Sequence, residues 1–192
     1  MANTDTPRGF TPVRYLSGQP YTGAVNQYSV AAGNATAILI GDPVTLAGTG
    51  QTINGNVYQD VVRSATGDAV TGICVGVKPD TRDSTIYRAA STQRILFVAD
   101  DPDLLFEIQE GATGTAFTAN DIGLNANFVV NSGSTTTGMS GVILDNTTEA
   151  TTNTLDVKLW GFQNRADNAI GSSAKWLVRL NKSRLVDQVA GV

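Results

Sequence analysis

Beyond residue 24 the chain is a succession of short apolar runs separated by Gly, Asn, Asp and Thr. Such punctuation predicts an all-β fold, a single β-barrel or a jelly-roll-like β-sandwich with little helix. The first run is 28–31, closed by a turn at Ala32-Gly33-Asn34. Residues 37–40 lead into Gly41-Asp42-Pro43-Val44, where Gly41 and Asp42 supply turn chemistry and Pro43 opens a strand or sits at an edge. Residues 47–56 read as a loop holding an Asn54-Gly55 hairpin turn. Segments 57–63 and 69–78 read as a pair of strands around Thr66-Gly67-Asp68, with Ile73, Val75 and Val77 on one face by alternation.

Segment 93–99 (QRILFVA) is nearly continuous apolar, as expected of a strand covered on both faces. Past a turn at Asp100-Asp101-Pro102-Asp103, Leu104, Phe106 and Ile108 point inward, opposite Glu107 and Gln109. Residues 131–141 and 145–154 are polar loops. Leu155, Val157 and Leu159 alternate with Asp156 and Lys158; the apolar phase then shifts to Trp160 and Phe162, and Gly161 is the natural site of a bulge. Trp176, Val178 and Leu180 share one face of a last strand over 175–181. Helix is expected only as a turn or two around 120–127 and as a short terminal segment from Asn181 through Val189.

The first 24 residues, MANTDTPRGFTPVRYLSGQPYTGA, break this pattern. Pro7, Pro12 and Pro20 exclude a regular helix or a central strand. Yet Phe10, Val13, Tyr15, Leu16 and Tyr21 are apolar or aromatic, with Arg8 and Arg14 among them, unlike a typical disordered tail. The organisation expected is an extended arm, 1–24, followed by a β-rich domain, 25–192. Taken alone, the arm has two readings. It lies along another protein's surface, as residues rich in binding hot spots do, or it folds back and pads its own domain.

Composition narrows the function. Of 192 residues 41% are hydrophobic, enough for a core, but only 16% are charged, against about 25% in typical soluble proteins. That suits a protein that works assembled. A net charge of −4 is no profile for a nucleic-acid binder, which needs a basic patch to neutralise phosphates. Neither a secretory leader nor a membrane-length apolar run is visible.

Histidine is absent, which removes the commonest general base and metal ligand. The lone cysteine, Cys74, sits in an apolar run and reads as an inert buried thiol. Asp100, Asp101, Asp103 and Glu107 are the one acidic cluster. They lack a calcium-loop pattern and read as a solvated turn, and they are the only foothold for a metal-dependent hydrolase. Gly48, Gly50 and Gly55 read as hairpin glycines rather than a phosphate cradle. Ser132, Ser134 and Ser140 lack a base. Trp160 and Trp176 read as core or subunit-contact residues first, and as a sugar platform in the alternative of a carbohydrate- or receptor-binding module. Basic residues gather near both ends, at Arg8 and Arg14 and at Lys175, Arg179, Lys182 and Arg184, as if both termini met one acidic partner surface.

In order along the chain, several short motifs resemble a family of capsid decoration (cement) proteins of tailed bacteriophages. They are the opening MANTDTPRGFTPVRYLSG, which is similar to the family's MANxxxPxGFxPVRxLSG; Gly41-Asp42-Pro43-Val44; residues 97–103 with Phe106-Glu107; and Asp121-Ile122-Gly123 with Asn125-Ala126. Ser134, Thr137-Gly138, Ser140-Gly141 and Leu144-Asp145 follow, then Asp167-Asn168, Ala174-Lys175 and Asn181.

The resemblance implies a β-rich homotrimer bound outside the shell, made in the host bacterial cytoplasm. Its partner is the major capsid protein, and it has no catalysis, cofactor, metal, small-molecule substrate, nucleic acid or membrane. The expected capsid-binding arm residues are Arg8, Phe10, Arg14, Tyr15 and Tyr21, with Lys175, Arg179, Lys182 and Arg184 as a secondary contact. Deleting 1–24 is then expected to leave a folded domain that no longer binds shells, and salt is expected to weaken binding.

Overall fold

Strands form where the apolar runs lie. The computed structural model describes residues 3–186, and the fold is all-β. In chain order the strands are β1 (Thr11–Tyr15), β2 (Asn26–Val30), β3 (Pro43–Ile53), β4 (Asn56–Arg63), β5 (Gly72–Val77), β6 (Arg94–Ala99), β7 (Leu104–Gln109), β8 (Asn125–Ala126), β9 (Phe128–Val129), β10 (Ile143–Leu144), β11 (Val157–Phe162) and β12 (Lys175–Leu180). Among the described residues helix is limited to one 3-10 turn, Ala119–Asp121, capped by Thr118. The expected turn at 120–127 is therefore shorter, and Asn125–Ala126 is strand. Among the described residues no helix follows Asn181: residues 181–186 are bends around a bridge at Ser183, and residues 187–189 of the expected helix lie outside the described residues.

The barrel and sandwich expectations resolve into a barrel with a sheet laid against it. Strands β2, β4, β3, β5 and β6 close into a five-stranded barrel, and β1, β7, β12, β11 and β8 form a second sheet in that order. The barrel interior holds Tyr28, Val30, Val44, Val61, Cys74, Leu96 and Val98. A larger core lies between sheet and barrel. Leu104, Phe106 and Ile108 of β7 and Trp176, Val178 and Leu180 of β12 meet Ile73 and Ala99 from the outer side of the barrel there.

This layout explains the continuous apolar run of β6. Val98, opposite Cys74, faces the barrel interior, while Ala99, opposite Ile73, faces the sheet. Burying both faces removes the polar alternation of a half-exposed strand.

Three local readings differ from expectation. Strands β4 and β5 do not pair with each other across Thr66-Gly67-Asp68, because β3 lies between them and pairs with both. Ile73, Val75 and Val77 do not share a face. A bulge between Cys74 and Gly76 sends Ile73 and Val75 to the larger core and Val77 to the barrel interior. Most of the expected loop 47–56 is strand. The hairpin turn itself is as read, with Asn54 at φ 50 and Gly55 at φ 80, the left-handed pair of a tight I′ turn.

Candidate interaction surfaces

The N-terminal segment lies along its own domain. The Asn3 side chain donates to the carbonyls of Ala169 (2.8 Å) and Ser172 (3.0 Å) and accepts from the Ala169 N–H (2.9 Å). The Thr6 N–H donates to Gln109 Oε1 at 3.0 Å, and Gln109 Nε2 donates to Asp5 Oδ1 at 2.7 Å. Thr11–Tyr15 then pairs antiparallel with β7 as the edge strand of the sheet. The expectation of an arm laid across another surface is thereby corrected for the described residues: the fold-back reading is the one the backbone takes.

Two glycines make this docking possible. The Phe10 N–H donates to the Gly41 carbonyl at 3.0 Å, where the two backbones cross. A Cβ on Gly9 would lie 2.4 Å from the Gly41 carbonyl oxygen, and one on Gly41 would lie 2.2 Å from that of Arg8. Both glycines hold a positive φ as well, at 68 and 95, so a side chain at either position is excluded by contact and strained by conformation.

Of the five expected arm anchors, Phe10 is corrected outright. It is 2% exposed and packs edge-on against Phe106 (centroids 6.1 Å) and Phe128 (5.7 Å) in the larger core. Tyr15 and Tyr21 are half-buried at the margin of that core, their rings 6.5 Å apart. Arg8 and Arg14 are exposed. Arg8 lines an open polar cleft of about 590 Å³ together with Glu107, Arg165, Asp167 and Lys175.

The rest of the C-terminal basic set is committed internally. Arg179 donates to the Pro102 carbonyl (2.8 Å) and pairs with Asp103 (2.9 Å). Lys182 donates to the Gly67 carbonyl, and Arg184 Nε donates to Thr45 Oγ1 at 3.0 Å. These contacts staple the end of the chain to its own domain, while Arg184 stays exposed and Arg179 and Lys182 partly so.

The acidic cluster is likewise divided among separate partners. Asp100 accepts from the Tyr28 hydroxyl (2.7 Å) and from Asn26. Asp101 accepts the Asp103 N–H (2.8 Å), and Glu107 pairs with Arg165 (2.9 Å). Among the described residues no three His, Cys, Asp or Glu side chains gather as metal ligands would. The Cys74 thiol is fully buried, and burial pushes it up to about 12, which keeps it protonated.

The tryptophans separate. Trp176 is fully buried, its indole N–H donating to Glu110. Trp160 sits at the β11 bulge between Leu159 and Gly161 and is 46% exposed, beside Ile122 and Lys158 in a shallow groove of about 310 Å³. Gly161 marked the bulge in the sequence, but which residue it would push outward depended on the register with β12.

The clearest surface that residue-by-residue reading missed is the β3–β4 hairpin. Residues 47–59 carry no charged side chain, and most are exposed, Val57 at 80%. Strand β5 pairs with β3 only at Pro43 and Val44, and β2 pairs with β4 only at Asp60. Beyond those points neither outer edge of the ribbon has a ladder partner among the described residues. Exposed edges normally carry charge to prevent association, and this one does not. The signal was legible as the gap in charge between Asp42 and Asp60.

Comparison with protein-family models, curated proteins and solved structures finds no match to this chain. No helix among the described residues is long and apolar enough to cross a membrane.

Proposed function

We propose that this chain is a structural virion protein, a capsid decoration (cement) protein. It binds the outer surface of an assembled tailed-phage shell as a homotrimer and stabilises contacts between major capsid subunits. The observation that carries this reading is where the family-like motifs fall in the fold. Gly9 and Gly41 form the backbone crossing, Phe10 enters the core, and Asn168 clasps the Lys175 backbone from both sides, at 2.9 Å each. A pattern seated at such junctions specifies a whole body rather than one loop, so the resemblance concerns the architecture.

The uncharged ribbon supports the same reading, because interface centres are depleted of charge. Binding only the assembled shell stabilises it by mass action, and three copies acting together add avidity. A carbohydrate-binding fibre module remains the alternative, resting on Trp160 alone now that Trp176 is in the core.

The test mixes the purified protein with undecorated shells and follows co-sedimentation and the shell's melting temperature. Saturable binding with a rise in shell melting temperature is the expected result. Failure to co-sediment, with tryptophan fluorescence quenched by sugars instead, replaces this reading with the alternative.

A further inference from the structure

Glu110 follows β7 directly and is fully buried. Its Oε2 accepts the Trp176 indole N–H at 2.6 Å, and its Oε1 has no hydrogen-bond partner among the described residues. The surroundings are aromatic. Trp176 is 0% and Phe117 1% exposed, their rings edge-on at 5.8 Å, and Phe162 meets the same indole at 5.1 Å.

Phe117 is brought there by segment 111–118, which leaves β7 and returns over the site. The segment is tied at its start: the Gly111 N–H donates to the Leu144 carbonyl (2.8 Å), and Asn146 donates to the Gly111 carbonyl (2.9 Å) and accepts from the Gly114 N–H (3.0 Å). Between that tie and Phe117, residues Ala112, Thr113 and Thr115 are exposed. Phe117 is thus the one buried side chain holding the far half of the segment down.

The charged groups around Glu110 offer it no counterion. Asp121, from the 3-10 turn, faces it with like charge. Strand β12 contributes the Trp176 indole, and segment 111–118 the Phe117 backbone. Lys175, next to Trp176, lines the Arg8 cleft. No ion pair reaches Glu110 among the described residues.

We propose that Glu110 is a proton-operated latch: protonated, it keeps segment 111–118 closed with Phe117 over Trp176, and on losing its proton it favours release of that segment and exposure of the aromatic edge beneath. The Trp176 indole N–H and the Phe117 backbone both favour the carboxylate, but burial outweighs them, so the closed site tolerates the neutral carboxyl better than the charged one. Segment 111–118 is the element that moves, because opening it hydrates the carboxylate while β7 and β12 keep their ladder. Burial raises the Glu110 carboxyl from its ordinary 4.5 to about 7. Linkage then makes the open-to-closed ratio rise tenfold per pH unit between those values, about 300-fold in all, and level off above. The device lies outside the proposed shell-binding reading and does not depend on it.

Hydrogen exchange of the full chain between pH 4.5 and 8, corrected for intrinsic exchange, tests the latch. Protection of 111–118 is expected to fall by about 100-fold between pH 4.5 and 8, with β7 and β12 unchanged and the dependence abolished in E110Q. Carboxyl-carbon NMR of the unaltered chain is expected to place the Glu110 titration near neutrality, a readout independent of whether the variant folds. A Glu110 titration in the ordinary carboxylate range, or identical pH dependence in wild type and E110Q, overturns the proposal.

Discussion

Phe10 stands in a segment with three prolines and no apolar period, so nothing local marks it as a core residue. It becomes one because Gly9 and Gly41 let two backbones cross in contact and Phe106 and Phe128 offer their edges. Removing such a ring leaves a cavity that rigid strands do not close, so Phe10→Ala is expected to cost about 3–5 kcal/mol. Chemical denaturation checks this; a loss under about 1 kcal/mol returns Phe10 to the surface role that sequence suggested. The same reasoning separates the two tryptophans. Both alternate within strands, but the β11 bulge turns Trp160 outward while the unbroken ladder of β12 keeps Trp176 inside.

At the scale of elements, alternation located β2, β4, β5, β6, β7, β11 and β12, because the side-chain period of two is a local property, but it missed β1, β8, β9 and β10 and read most of β3 as loop. Inward Leu104, Phe106 and Ile108, inward Trp176, Val178 and Leu180, the Asn54-Gly55 turn and the bulge beside Gly161 were all legible. Pairing was not. That β3 inserts between β4 and β5, and that 11–15 joins β7, depends on contacts distant in sequence. The N-terminal segment is therefore part of the domain, and deleting 1–24 removes an edge strand and a core ring along with any binding role. The hairpin offers a cleaner test of the proposed function. Val57→Lys, at a position 80% exposed, is expected to leave stability within about 0.5 kcal/mol of wild type and to weaken shell binding at least tenfold. Unchanged occupancy on shells would move the contact elsewhere on the surface.

For the molecule as a whole, buried carboxyls set the response to pH. Burial raises Glu110 to about 7 and Asp156 to about 6, and it raises Asp42 as well. For each, the folded value lies above the unfolded one. The stabilisation is complete below the unfolded value and is lost as pH rises through the folded value. Asp60 acts in the opposite sense. Hydrogen bonds from Ser29, Thr49 and Gln51 outweigh its desolvation and lower it, so its contribution is lost toward strong acid. Scanning calorimetry is expected to find the highest Tm near pH 5, at about 5–10 °C above that at pH 8; a Tm that rises from pH 5 to pH 8 contradicts this account. By itself the sequence determined the all-β class, the positions of most core strands, the hairpin turn and the absence of histidine, since these follow from local period, turn chemistry and composition. Tertiary structure alone decided that a barrel carries a sheet on its flank, that Phe10 is core and Trp160 surface, and that Glu110 is buried without a counterion. Those outcomes depend on which distant segments exclude water from one another, and a linear pattern does not encode that locally.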